Sequence, residues 1–504
     1  MRGGRALPLV AGVLGFLISF AGSWNESFWW DEAATVAAAD RSVPDLVELL
    51  GRVDAVHGLY YLVMHGWFSV FGAGELSARI PSALAVGVGA AALLELARRL
   101  AGTRVAVVAA AVFVIMPRIT WAGSEARSYA MVAAAAALTT LALVVALRST
   151  RRRWWVVYAL LAALSVVLFL YSAALVAAHA VTVALTPARH RWRFAVAVAA
   201  AAAVAAPFAV LAVSQSAQIG WVPPLDASVL HTIAVEQWFP EAVWFAAGCL
   251  LVVVCGALAA LWRRRRGASA GAVLVVAVPW LLVPMVLFLA YSALGQNIYL
   301  GRYLIFTAPA VALVVAVAAV WAFASRVALT AVVLALTVAA LPAYLEQRRP
   351  WGKPGGMDYS TVADDIAARA AAGDCVAFQP IVSWQPTSLR SVAQARPDAF
   401  AGLVDIGFGE SGADRAELWD VDAPADVVAD RAQECAVVWV VTDGERSRGS
   451  RYLHPANVWW EFAPFRFEDT ELYRALAGDG FGIDERVPAN HAQLVRLVRT
   501  GQTQ

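Results

Sequence analysis

Apolar residues dominate the chain from residue 7 to residue 345. Near Pro350 they give way to an ordinary mixture of polar and apolar positions. Within the first stretch the apolar positions form runs close to the ~20 residues a helix needs to cross the hydrocarbon layer. About eleven such runs are read, at 7–24, 79–98, 105–121, 129–147, 155–171, 173–187, 194–213, 242–262, 271–293, 303–323 and 327–345. Beyond Pro350 the pattern predicts helices over 360–372 and 469–478 and strands over 375–379, 435–442 and 492–499, which together make a small α/β layer domain. The expected architecture is a polytopic α-helical membrane domain, 1–349, followed by a soluble α/β domain, 350–504.

Composition supports this division. Of the 504 residues, 61% are hydrophobic and 15% charged, whereas a soluble chain is about half apolar and about a quarter charged. Too few polar side chains exist to cover a soluble body of this length. The net charge of +2 does not point to nucleic acid, because the basic residues sit in short clusters between apolar runs. These clusters are Arg2 and Arg5; Arg98, Arg99 and Arg104; Arg148 with Arg151 to Arg153; Arg189, Arg191 and Arg193; Arg263 to Arg266; and Arg326. With eleven spans all of them fall on one side, which the positive-inside rule makes cytoplasmic. The N-terminus is then cytoplasmic. Loops 25–78, 122–128, 214–241 and 294–302 and the C-terminal domain lie outside, as in a multi-pass protein of a bacterial inner membrane. The first run exceeds the usual core of a cleaved signal and reads as an anchor.

Cys249 and Cys255 share an apolar run, whereas Cys375 and Cys435 each open a strand-like segment of the soluble domain. Outside the cytoplasm a disulfide between the latter two is permitted, but spacing alone does not decide it. His179, isolated in an apolar span, reads as a hydrogen-bonded core histidine.

The outer loops carry the chemistry. Asp31 and Glu32 follow Trp29 and Trp30 where the chain leaves the first span. They read either as a solvated pair favoured by a helix N-terminus or as working carboxylates. Residues 33–50 have helical character, and 54–72, interrupted by Asp54, His57 and His65, suits a helix in the interface plane. Arg118, Glu125, Arg127 and Tyr129 lie at the outer end of the third and fourth spans, against the positive-inside trend. Ionisable groups at membrane depth default to a functional reading; the structural alternative is a Glu–Arg pair locking two helix ends. Arg302, between Tyr299 and Tyr303, suits a phosphate, with interfacial snorkelling as its alternative.

In this order and placement, three stretches resemble the GT-C glycosyltransferases, in the branch of the protein O-mannosyltransferases and the aminoarabinose transferases of lipid A. They are Asp31-Glu32, the apolar segment ending Phe71-Gly72 followed by Ser77-Ala-Arg79-Ile-Pro-Ser, and Arg302-Tyr303 followed by Pro309. Glu125-Ala-Arg-Ser-Tyr resembles a variant of bacterial members. The prolines usual before the interfacial helix are replaced by Val56-His57-Gly58, and an acidic residue expected near the third and fourth spans would be Glu125.

The resemblance implies a GT-C-like fold and a polyprenyl-phosphate-sugar donor, mannose favoured, used at the outer face on a glycan, glycolipid or protein hydroxyl. It implies Asp31 as general base of an inverting transfer and Glu32 as acceptor-orienting group or holder of a nearby divalent cation. Arg302 and Tyr303 would bind the donor phosphate. Asp54, His57, Arg118, Glu125, Arg127, Tyr129 and Tyr299 would line the cavity, amid membrane lipids. No metal is demanded, although Asp31, Glu32 and His57 could hold one. An arabinofuranosyl or other lipid-linked pentose donor is the alternative, and a lipid or solute transporter a more distant one.

Overall fold

The computed structural model describes residues 3–262, 268–454 and 458–500. Arg2 and the basic run Arg263–Arg266 lie outside the described residues. Each apolar run coincides with helix, but not every run makes a full span. Among the described residues seven helices are long and apolar enough to cross a membrane, and an eighth results if Thr103–Ile115 and Pro117–Gly123, bent by 62°, count as one. The other three, Ala6–Phe20, Arg153–Leu168 and Leu170–Ala184, are shorter. The expectation of about eleven full-length spans is corrected to that extent.

The shortening has local causes. Met116 precedes Pro117 and is held at φ −65°, ψ 125°, because the proline ring disfavours helical backbone in the residue before it. The expected span 105–121 therefore breaks there. At Phe169 the backbone becomes extended, with φ −160° and ψ 108°, so two adjacent apolar runs end and restart within a few residues.

The chain divides into two compact bodies. The first comprises Met1–Ser23, Asp54–Tyr60 and Arg79–Gln347, and it holds the apolar helices. Inside it His179 is fully buried, with Nε2 3.0 Å from Thr140 Oγ1 and Nδ1 3.2 Å from the Tyr158 hydroxyl. It is the satisfied core histidine expected.

The second body comprises Trp24–Val53, Tyr61–Ala78 and Arg348–Gln504. Its five-stranded sheet runs Val404–Asp405, Cys375–Phe378, Val437–Asp443, Ala492–Arg499, Phe481–Pro488 in spatial order. The first three strands are parallel, and the last two pair antiparallel. Alternating positions such as Ala377, Val438, Val440, Val495 and Leu497 fill one core with Leu472 and Leu476 of the helix Glu471–Gly478. Cys375 and Cys435 form a disulfide, with their Cα atoms 6.0 Å apart.

The helical stretch expected over 33–50 is two helices, Trp30–Ala39 and Val43–Arg52. Ser42 caps the second by accepting from the Asp45 backbone N–H at 3.3 Å, and Pro44 sits in its first turn, where its missing N–H costs nothing. The apolar segment 54–72 forms the helix Gly58–Phe71.

Candidate active site

In the second body the sequence Trp29-Trp-Asp-Glu folds as a helix start, placing Asp31 and Glu32 in the first turn of Trp30–Ala39. Carboxylates there are favoured by the exposed N–H groups of the helix end. Both are buried, Glu32 completely and Asp31 to within 8%, so the solvated-pair alternative does not hold. Glu32 faces Lys353, with Nζ 3.6 Å from Oε1. The same ammonium lies 2.7 Å from Glu26 Oε2, and Arg348 Nη1 lies 3.4 Å from Glu26 Oε1. Neither Glu26 nor Lys353 was among the residues singled out from sequence. The available signal was that Lys353 is the only lysine in a chain otherwise served by arginine.

The first body holds a basic constellation. Arg127 Nη2 lies 2.8 Å from His57 Nε2. The turn carrying Arg127 is pinned by Ser82, whose hydroxyl donates to the Glu125 carbonyl at 2.6 Å and lies 3.3 Å from that of Arg127. Burial holds the His57 imidazole well below its ordinary pKa, and the positive charges of Arg127 and Arg302 push it further the same way. The charges that penalise protonation of this neutral imidazole are of the kind an incoming phosphate would neutralise.

Arg302 is the second residue of the short helical segment Gly301–Thr307, kinked at Leu304, before the long helix Ala308–Ala322. Its guanidinium lies over the Trp221 ring at 5.6 Å and the Tyr303 ring at 5.9 Å. Tyr303 packs against Phe169 and Tyr171, centroids 5.8 and 5.5 Å away. An aromatic collar of this kind holds a cation in place.

The remaining expected residues separate into two groups. Glu125 and Tyr129 are buried beside the Arg127 turn, and Tyr129 packs against Trp121 at 5.2 Å. Arg118 is occupied differently. Its side chain donates to the carbonyls of Glu236 and Gln237, its backbone N–H to Trp238 O at 3.1 Å, and it stacks over Trp121. Tyr299 donates to Gln237 Oε1 at 2.7 Å. Both hold the loop around Gln237. Asp54 adopts left-handed backbone (φ 58°), with its N–H on Gln218 Oε1 at 3.2 Å; it shapes the turn ahead of His57.

Among the described residues no three His, Cys, Asp or Glu side chains come together in a way that could hold a metal ion. Beside Glu32 lies the positive charge of Lys353.

Residues 59–213 match the family model described as dolichyl-phosphate-mannose-protein mannosyltransferase. The fold is similar to that of ArnT from Cupriavidus metallidurans bound to undecaprenyl phosphate, at TM-score 0.58 and 14% identity, covering 100% of this chain and 99% of that one. The apo form of the same protein matches at TM-score 0.54 and 15% identity, covering 98% of each chain. The arabinofuranosyltransferase AftD from Mycobacteria matches at TM-score 0.51 and 16% identity over 99% of this chain and 40% of its own. No curated protein sequence matches the chain.

Proposed function

We propose that this chain, a multi-pass membrane glycosyltransferase of the GT-C superfamily by its matched family model and its fold, moves a sugar from a polyprenyl-phosphate donor to a hydroxyl outside the cytoplasm. The observation that carries the reading is the constellation of His57, Arg127 and Arg302, three nitrogen-rich groups within electrostatic reach of one another. Such a cluster suits a phosphodiester, whose leaving phosphate gains charge as the glycosidic bond breaks, so cations placed there act most strongly in the transition state.

The acceptor oxygen attacks the anomeric carbon while the bond from that carbon to the phosphate oxygen breaks. The electron pair leaves with the polyprenyl phosphate, and the acceptor proton passes to Asp31. Attack opposite the leaving group inverts the anomeric centre. The N-terminus is cytoplasmic, and the C-terminal domain stands outside with the acceptor. Mannose is the favoured sugar, supported by the matched family model; a pentofuranose is the second donor to test. Donor choice turns on single hydroxyls and is read by assay. Purified protein in detergent is given radiolabelled polyprenyl-phosphate mannose, then arabinofuranose, with membrane extract as acceptor. Transfer from one donor supports the reading. Failure to bind or consume either sinks it and brings the transporter reading forward.

A further inference from the structure

The second body contains an ion cluster that the proposed chemistry has not used. Glu26 is 2% exposed, Glu32 is 0% exposed, and the Lys353 side chain between them is 1% exposed. Arg348, also buried, adds a second cation on Glu26. A buried charge left without such a partner is strongly destabilising, so the loss of one member is felt by the others.

This cluster joins two stretches far apart in sequence. Ser27 N–H donates to Pro350 O at 2.7 Å, Phe28 N–H to Ser360 Oγ at 2.8 Å, and Ser360 N–H to Ser27 Oγ at 2.9 Å. The segment just after the last apolar helix is thereby stitched to the segment that starts the Asp31 helix. Lys353 is the charged member of the stitch that reaches onto that helix, through Glu32. Further along the same segment, Asp358 is separately engaged, accepting from His491 N–H at 2.7 Å and Ala492 N–H at 3.0 Å.

The residue type is informative. An arginine fork carries five donors on a planar group and suits bidentate pairing, whereas an ammonium is a compact point charge able to sit between two carboxylates. The chain uses its single lysine here.

We infer that Lys353 is a positioning residue for the transfer reaction: it pairs with both Glu32 and Glu26 and so fixes the first helical turn that carries Asp31. The inference rests on the assignment of Asp31 as base. Lys353 need not touch donor or acceptor, and its loss is felt in kcat, through the orientation of that turn, more than in KM for the donor. Removing the ammonium also makes the buried carboxylates easier to protonate, which moves the acid limb of the pH–rate profile to higher pH.

The test compares the full-length protein with Lys353→Met, Lys353→Arg and the double variant Lys353→Met/Glu32→Gln. One readout is kcat, KM and the pH profile with polyprenyl-phosphate mannose or arabinofuranose. The other, which needs no substrate, is the thermal midpoint between pH 5 and pH 8. The expected result for Lys353→Met is a tenfold or larger fall in kcat, less than twofold change in KM, and a midpoint that falls relative to wild type as pH rises. The double variant loses most of that pH dependence, and Lys353→Arg recovers part of the rate. Wild-type kcat and wild-type pH dependence in Lys353→Met would overturn the inference. So would a midpoint that drops equally at every pH. A wild-type protein that transfers no sugar speaks against the transferase reading instead, while the midpoint series still decides whether Lys353 holds the carboxylates ionised.

Discussion

Arg127 Nη2 lies 2.8 Å from His57 Nε2, so the imidazole accepts from a guanidinium and is neutral in that role. Its depressed pKa, caused by burial and then by Arg127 and Arg302, has a consequence for stability. An unfolded histidine titrates near 6.5. Below that pH the unfolded chain binds a proton that the folded chain refuses, so stability is full above pH ~6.5 and is lost as pH falls toward the folded pKa. His57→Gln is expected to flatten the thermal midpoint against pH in that window while leaving it unchanged above pH 7.

Arg302 sits between Trp221 and Tyr303, where a truncation removes charge and leaves the collar. Arg302→Ala is expected to lower kcat/KM for a polyprenyl-phosphate sugar by about 10²–10³-fold, the usual effect of losing one donor to a developing oxyanion. Arg302→Lys recovers part of it, because charge is restored without the fork. Steady-state kinetics on the purified variants would show it, and a change of twofold or less would remove Arg302 from the phosphate site.

The disulfide between Cys375 and Cys435 closes a separation of 60 residues. A loop of that size stabilises by about 2–5 kcal/mol. Replacing both cysteines with serine should lower the thermal midpoint of the full-length protein. Alkylation in denaturant without reductant should label only Cys249 and Cys255, the free thiols, as mass spectrometry would register.

His179 is held by Thr140 and Tyr158 within the helices. His179→Ala leaves both partners short of a bond at a cost of about 1–3 kcal/mol. Stability should fall, while transfer per folded molecule stays at the wild-type level; a selective loss of activity would mean that the histidine has a further task.

Much of the fold was legible because the bilayer and the pleated sheet leave strong periodic traces. The strand expected at 492–499 is the strand Ala492–Arg499, and the helix expected at 469–478 is Glu471–Gly478. What escaped the pattern was local breakage, at Met116-Pro117 and at Phe169, where backbone geometry overrides a continuous apolar run. The strand Phe481–Pro488 also escaped, because its residues Gly482, Asp484, Glu485 and Arg486 lack the apolar alternation that marks a strand.

The site divided in the same way. Asp31, Glu32, Arg127 and Arg302 stood out because charge beside apolar spans is costly and conspicuous. Their pairings did not stand out. His57 and Arg127 are 70 positions apart, and Lys353 lies beyond the last apolar helix, so only the fold reveals that it reaches Glu32. The hydrogen bonds of Arg118 and Tyr299 to the loop around Gln237 were likewise hidden in the sequence.

The most direct measurement is single-turnover transfer by Asp31→Asn with the donor that the wild-type protein uses, alongside binding of that donor. The account predicts donor affinity within about threefold of wild type and transfer reduced by at least the ~10²-fold that a general base contributes. Transfer at the wild-type rate by a folded Asp31→Asn protein would contradict it, and would move the base to another residue.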